Sequence, residues 1–474
     1  MTQTHDLSAT AMAAAVRTGE VSPVELTEHY LARIERLNEQ VGAYVTVTAE
    51  RAREEARRAE KAVAETADPA ELPPLHGVPV PIKDLNMVDG VRTTYGTTVY
   101  SDLTGFADDS VVALLRRAGS VLLGKTASPE LGLTCYTEGD VSPPARTPWD
   151  LSRSAGGSSG GAAAAVASGL APVAQGSDGG GSIRIPSSAC GLFGLKPTRG
   201  RISQGPLLPD LFGLSTNGSI ARTVRDAALL LDVMSAHMPG DLYAAPPVEG
   251  TFASYADRPP GRLRIARSKE PAVADVVVHP DCVAAYDAAS ELLEELGHEV
   301  VELPPVFGPD LIPRFETLWG AMAAFSPIAE ESERLLQPLT RWLRDRGRST
   351  TATQLFGAQA ALQGALRAAF PVMDEFDAIL HPTLAEPPVP VGYFHDQEPA
   401  ENFERQKRFT PFAAMYNISG QPAVNVPLQW NDAGLPIGVM LAGRLGGEGT
   451  LISLSAQLEE ARPWIDRKPD IWTA

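Results

Sequence analysis

Gly156-Gly157-Ser158-Ser159-Gly160-Gly161 opens, and Gly176-Ser177-Asp178-Gly179-Gly180-Gly181-Ser182 closes, a stretch filled with very small side chains. Ile183-Arg184-Ile185-Pro186 leads out of it. Glycine lets a backbone reach conformations and approach distances that a β-carbon forbids. Serines on such turns present hydroxyls beside bare peptide N–H groups, and consecutive N–H groups form concavities for anions. An acyl-transfer transition state needs such a concavity for its oxyanion. The stretch therefore reads as an active site.

Other glycine-rich motifs fit badly. A phosphate loop of the Walker type needs a lysine that is absent here. A dinucleotide fingerprint needs a preceding strand, a helix and an acidic residue about 20 positions later, a pattern that Arg184 and Pro186 fit badly. A nucleophile elbow needs glycine two residues after the serine, but Ser182 is followed by Ile183 and Arg184. None of the eight histidines lies in an obvious motif.

A serine hydroxyl is a weak nucleophile unless a base takes its proton. Lysine can serve if burial keeps it neutral, and a Ser–Lys pairing is an established variant of the triad. Lys83 ends the run Leu75-His76-Gly77-Val78-Pro79-Val80-Pro81-Ile82-Lys83-Asp84, which reads as a short buried strand. A strand-end lysine can simply snorkel to water; it can also be desolvated and act as a base. A second serine, Ser158 on the facing turn, can relay the proton between Ser182 and Lys83.

With 474 residues and 44% hydrophobic composition, the chain can bury a large core. A net charge of −18 disfavours nucleic acid and anionic membrane as partners, since both need a basic footprint. Three scattered cysteines, Cys135, Cys190 and Cys282, make no disulfide framework or zinc knuckle. With no secretory leader and no long apolar run, the expected setting is the cytoplasm.

Strand–helix–strand order recurs along the chain and predicts an α/β architecture. Helical periodicity covers much of Asp6 to Ala64. A helix is expected over Ser110–Ala118 and a strand over Val121–Thr126. Further strands are expected near Arg262–Ala266, Val300 and Phe376–Leu380. Two apolar runs flank Asn431-Asp432-Ala433-Gly434, and a helix closes the chain over Thr450–Arg462. Val306–Phe325 is strongly aromatic and reads as core, with a substrate pocket as the second reading.

Taken together, these motifs closely resemble the amidase signature family. The resemblance extends to Gly194-Leu195-Lys196-Pro197-Thr198, Gly420-Gln421-Pro422-Ala423 and Gly434-Leu435-Pro436-Ile437-Gly438, and so spans nearly the whole chain. It implies a single large α/β/α domain with a mixed central β-sheet flanked by helices. Residues 1–65 would form an N-terminal helical segment packed on a domain of residues 66–474, whose region around 300–375 would vary with substrate. It implies a Ser–cis-Ser–Lys triad, matched here by Ser182 as nucleophile, Ser158 as relay and Lys83 as base. The oxyanion hole would be the N–H groups of Gly179, Gly180 and Gly181, with that of Ser182. Gly132 and Trp319 would touch substrate, and Asp178 with Arg184 would form a structural ion pair. No metal and no organic cofactor is implied.

Two positions depart from the family pattern. Ser177 stands where threonine is usual, and Gly179 replaces a larger residue, which would widen or loosen the oxyanion loop. Within the family the chain looks most like 6-aminohexanoate cyclic dimer hydrolases and aryl acylamidases. The expected partner is thus a small apolar amide, with carbamates as relatives; a homodimer is compatible with this. Two other readings are an amidase subunit of a tRNA-dependent amidotransferase and a non-catalytic scaffold.

Overall fold

The computed structural model describes residues 3–209, 212–304, 306–395 and 397–474. Among the described residues eleven strands form the central layer: β1 (Tyr44–Val47), β2 (Pro79–Lys83), β3 (Val121–Thr126), β4 (Val173–Asp178), β5 (Phe193–Lys196), β6 (Thr216–Ala221), β7 (Arg264–Arg267), β8 (Glu299–Glu302), β9 (Ala378–Pro382), β10 (Ala423–Trp430) and β11 (Pro436–Gly443). They do not make one continuous ladder. Eight strands run in the order β4-β6-β5-β10-β11-β9-β7-β8, and three in the order β1-β3-β2. Both sheets are mixed: β2 pairs parallel with β3 and β7 parallel with β8 and β9, while the other pairs are antiparallel. At the junction the Lys83 N–H donates to the side-chain Oε1 of Gln175 on β4 at 2.8 Å, a side chain standing in for a ladder carbonyl. Lys83 is thereby held at the seam.

β2, β3, β4, β5 and β6 are buried at every residue, the pattern of strands covered on both faces. The helix Gly160–Ala167 is likewise buried at every position, and its alanines leave room for close approach by neighbouring backbone. Between the helices Pro23–Val41 and Ala49–Glu65 lies β1, paired antiparallel with β3. The N-terminal segment is therefore not wholly helical: its Tyr-Val-Thr-Val run suits a half-buried pleated strand. Ser22 caps Pro23–Val41 with a capping box, and Gly42, in the left-handed conformation, ends it. Arg33 on this helix donates to the carbonyls of Gly169, Ser168 and Trp472, tying the N-terminal segment to the rest of the chain.

The two apolar runs around Asn431–Gly434 are β10 and β11, hairpin partners in the middle of the large sheet. Asn431 Oδ1 accepts from the N–H groups of Ala433 and Leu435 and so closes the turn. Among the described residues of 300–375 stand three α-helices, Ile312–Phe325, Pro338–Ser349 and Ala352–Met373. Phe315, Leu318 and Trp319 join a separate apolar cluster with Leu339, Leu343 and Phe403. No helix among the described residues is long and apolar enough to cross a membrane.

Candidate active site

Lys83 is wholly buried at the end of β2. Its Nζ lies 2.7 Å from Ser158 Oγ, 3.0 Å from Ser177 Oγ and 3.3 Å from the Ser177 carbonyl. Burial pushes its ammonium down to about 7, with the charge of Asp178 opposing the shift. Of the two readings of this lysine, snorkelling is excluded by its position. Lys196 is also held down to about 7, by burial and by the Arg184 charge, but it donates to the Pro197 carbonyl at 2.9 Å.

The peptide bond between Gly157 and Ser158 is cis. A β-carbon at Gly157 would sit 2.6 Å from the Tyr136 carbonyl carbon, so only glycine lets the first turn lie against that backbone. The N–H of Ser159 donates to the Ser182 carbonyl at 3.1 Å and fastens the two serine-bearing turns together. Ser182, 7% exposed, lines a cavity with Gly180, Leu133, Cys135, Phe315 and Trp319.

Asp178 organises the second turn. Arg184 donates to both its carboxylate oxygens, Nε to Oδ2 at 3.0 Å and an η nitrogen to Oδ1 at 2.9 Å. Asn417 Nδ2 adds a bond to Oδ1 at 2.9 Å. Burial works to raise this carboxyl, but the charge and hydrogen bonds of Arg184 hold it below the usual carboxylate range. The ion-pair geometry expected from the sequence is present, with both side chains fully buried.

The Gly181 N–H donates to Asp178 Oδ1 at 2.7 Å. Gly181 is therefore removed from the expected set of oxyanion donors, because its one hydrogen is already spent on the carboxylate. Its own constraint is steric: φ is +126°, and a β-carbon would lie 2.7 Å from Ala413 Cβ. The N–H groups of Gly179, Gly180 and Ser182 have no protein acceptor among the described residues.

The room above Gly179 is not empty. A β-carbon there would meet the Trp319 ring at 3.5 Å, and one at Gly180 would meet it at 3.7 Å. Phe315 stacks on the same indole with ring centres 5.4 Å apart. The indole thus bounds the space above the loop, leaving room for about one methyl group at 179. Trp319 faces the Gly179–Ser182 loop as well as lining the cavity, so the aromatic stripe is both core and pocket wall.

Gly132 lies where a β-carbon would be 3.6 Å from Ser158 Oγ. Beside it Leu131 takes a left-handed φ of 52°, as does Tyr95 at 50°, and the Leu131 N–H donates to the Tyr95 carbonyl at 2.8 Å. Two non-glycine residues in that region mark backbone held by its surroundings. Both line a second cavity of about 240 Å³, which shares Leu133 with the Ser182 cavity.

Sequence reasoning singled out neither Gln175 nor Asn417. Gln175 and Ser177 are two apart on β4 and share a face, a period-two signal hidden among small residues. Asn417 lies far along the chain and carries no local signal.

Substituting Asp178 by asparagine leaves the buried Arg184 without its charge partner. Breaking such a pair costs about 3–5 kcal/mol. Asp178→Asn is expected to lower the urea midpoint accordingly, at unchanged dependence on denaturant, as followed by tryptophan fluorescence.

The family model described as Amidase matches residues 25–452, and the chain belongs to that family. The putative amidase AmiB2 of Mycobacterium tuberculosis is 40% identical over 476 residues, covering 98% of both chains. The 6-aminohexanoate-cyclic-dimer hydrolase of Paenarthrobacter ureafaciens is 35% identical over 493 residues, covering 98% of this chain and 96% of its own. A solved 6-aminohexanoate cyclic dimer hydrolase superposes with a TM-score of 0.91 at 33% identity, over 99% of this chain and 100% of that one. A bacterial aryl acylamidase of the amidase signature family superposes at 0.87 with 27% identity, over 97% of each.

Proposed function

We propose that the chain hydrolyses neutral, largely apolar carboxylic amides, secondary or cyclic, through an acyl-enzyme on Ser182. The observation that carries this reading is the buried contact of 2.7 Å between Lys83 Nζ and Ser158 Oγ, beside the turn that bears Ser182. A neutral amine has two hydrogens and one lone pair. With the Ser177 carbonyl able only to accept, Lys83 can give one hydrogen there and a second to Ser177 Oγ. Its lone pair is then free to take the Ser158 hydroxyl proton. Ser158 in turn draws the proton from Ser182 as that oxygen attacks the amide carbonyl, and later returns it to the leaving amine. The N–H groups of Gly179, Gly180 and Ser182 receive the oxyanion. Water repeats the cycle on the ester.

The substrate class is supported by the walls of the cavities. The larger one is lined by leucines, Tyr95, Phe212, Met322 and Phe325, with no charged side chain among its described residues. The similarity to cyclic dimer hydrolases and to an aryl acylamidase points the same way. A cytoplasmic setting completes the proposal, supported by three cysteines that are all free and buried; cell fractionation tests it. The activity is tested with anilides, aliphatic amides, cyclic lactam dimers and carbamates, compared by kcat/KM. Anilides and cyclic dimers are expected to lead. Ammonia release from glutamine in preference to all of these would overturn the reading in favour of the amidotransferase subunit.

A further inference from the structure

The larger cavity is apolar except for a few neutral side chains, and two of these carry buried donors with nothing to donate to. Asn217 Nδ2 and Gln204 Nε2 have no hydrogen-bond partner among the described residues, and both residues line this cavity. Asn217 is 1% and Gln204 9% exposed. Leaving such a donor unpaired inside a protein carries the full cost of stripping it of water.

The orientation of Asn217 is dictated from Lys83. The Lys83 N–H can only donate, so the Gln175 atom facing it is the oxygen. Gln175 Nε2 is then the donor on the other side, and its partner at 2.8 Å on Asn217 must be Oδ1. That leaves the NH₂ of Asn217 as the unpaired end. Ser177 and Asn217 are direct cross-strand partners in the β4–β6 ladder, so their side chains leave the sheet on one face. Asn217 is thus a neighbour of the hydroxyl that touches Lys83, and Leu133 joins this cavity to the one lined by Ser182.

We propose that Asn217 and Gln204 bind a second carbonyl oxygen of the substrate, one remote from the bond being cut, so that the preferred substrates are bis-amides, linear or cyclic. The inference rests on the amidase reading above and narrows its substrate class. A neutral carbonyl satisfies both donors without bringing a charge into an apolar cavity, whereas a carboxylate or ammonium would enter it unpaired. Specificity follows from the same physics: a site built to hydrogen-bond a group rejects an analogue lacking it more strongly than an apolar wall does.

Binding to the Ser182→Ala variant, measured by titration calorimetry, isolates this claim from turnover. N-acetyl-β-alanine anilide is compared with hexananilide, and N,N′-diacetyl-1,4-diaminobutane with N-heptylacetamide. Each pair matches in chain length, and each replaces the second amide by methylenes. An apolar wall without donors prefers the alkyl member, because the amide must shed water. The expected result is the opposite sign, with the bis-amide of at least one pair binding about 10-fold tighter. Asn217→Asp keeps the acceptor that Gln175 needs and removes the donor; Gln204→Leu breaks no hydrogen bond within the protein. Both substitutions, made in the Ser182→Ala protein, are expected to abolish or reverse the preference. Alkyl members binding as well or better in the unsubstituted pocket, the mark of donors served by water only, would overturn the proposal. So would a preference that survives both substitutions. Hydrolysis of the mono-amides by the wild-type enzyme tests the amidase reading separately.

Discussion

Ser182→Ala is expected to lower kcat for amide hydrolysis by roughly 10⁶-fold, the order seen when a catalytic serine is removed. The substitution deletes one oxygen from a residue already 7% exposed on the cavity wall. The bond that fastens the two turns uses the Ser182 carbonyl, not its hydroxyl, and so survives. Stability is therefore expected to be unchanged, as measured by the urea midpoint. Labelling by a fluorophosphonate probe is expected to vanish together with turnover. Persistent labelling at another serine, with activity retained, would show that the nucleophile lies elsewhere.

The second large effect concerns Lys83. With its pKa held near 7 by burial, the wild-type kcat/KM is expected to rise with pH on a limb of unit slope and level off above about 7. Below that pH the amine is protonated and cannot accept from Ser158. Lys83→Met is expected to lower kcat about 10³-fold or more and to erase the limb. Lys196 titrates in the same range but hydrogen-bonds to the Pro197 carbonyl; Lys196→Met is expected to keep the limb. A stability measurement makes the assignment independent of rate. An unfolded lysine keeps its proton up to about 10.4, whereas folded Lys83 loses it near 7. Between these values the unfolded chain binds one more proton, so wild-type stability rises with pH. The difference in stability between wild type and Lys83→Met is thus expected to shift in favour of wild type from pH 7 to pH 10. A flat difference would mean that Lys83 is not the depressed amine.

The tie between Asp178, Arg184 and Asn417 bears on both predictions. It places Gly181 with its N–H turned to the Asp178 carboxylate, and leaves the N–H groups on either side of it without a protein acceptor among the described residues. Rigid donors of this kind need no reorganisation during reaction. Trp319 covers the same loop from the cavity side. The Gly179–Ser182 loop therefore lies between a buried ion pair and an aromatic ring, with room for one methyl group between Gly179 and that ring.

Much of this was legible in the order of residues. Local rules act over a few positions, so the helix Pro23–Val41, the buried strands β2 and β3 and the β10–β11 hairpin follow from caps, apolar runs and turn residues. The two serine turns and the lysine were readable because their chemistry demands particular residue types at fixed places on those elements. What the sequence by itself determined was thus the list of reacting groups and the α/β class.

Only the tertiary structure decided which of those groups meet, and which hydrogens are already taken. Whether Lys83 is a snorkelling cation or a neutral base depends on the walls around its Nζ, which come from β4 and the first serine turn. Whether Gly181 offers its N–H depends on a carboxylate three residues earlier, held in place by Asn417 from far along the chain. The split of the central layer at Gln175, and the unpaired donor left on Asn217, arise from one chain of amide hydrogen bonds across two sheets. Such facts have no local signature, because burial and hydrogen-bond satisfaction are properties of neighbours in space.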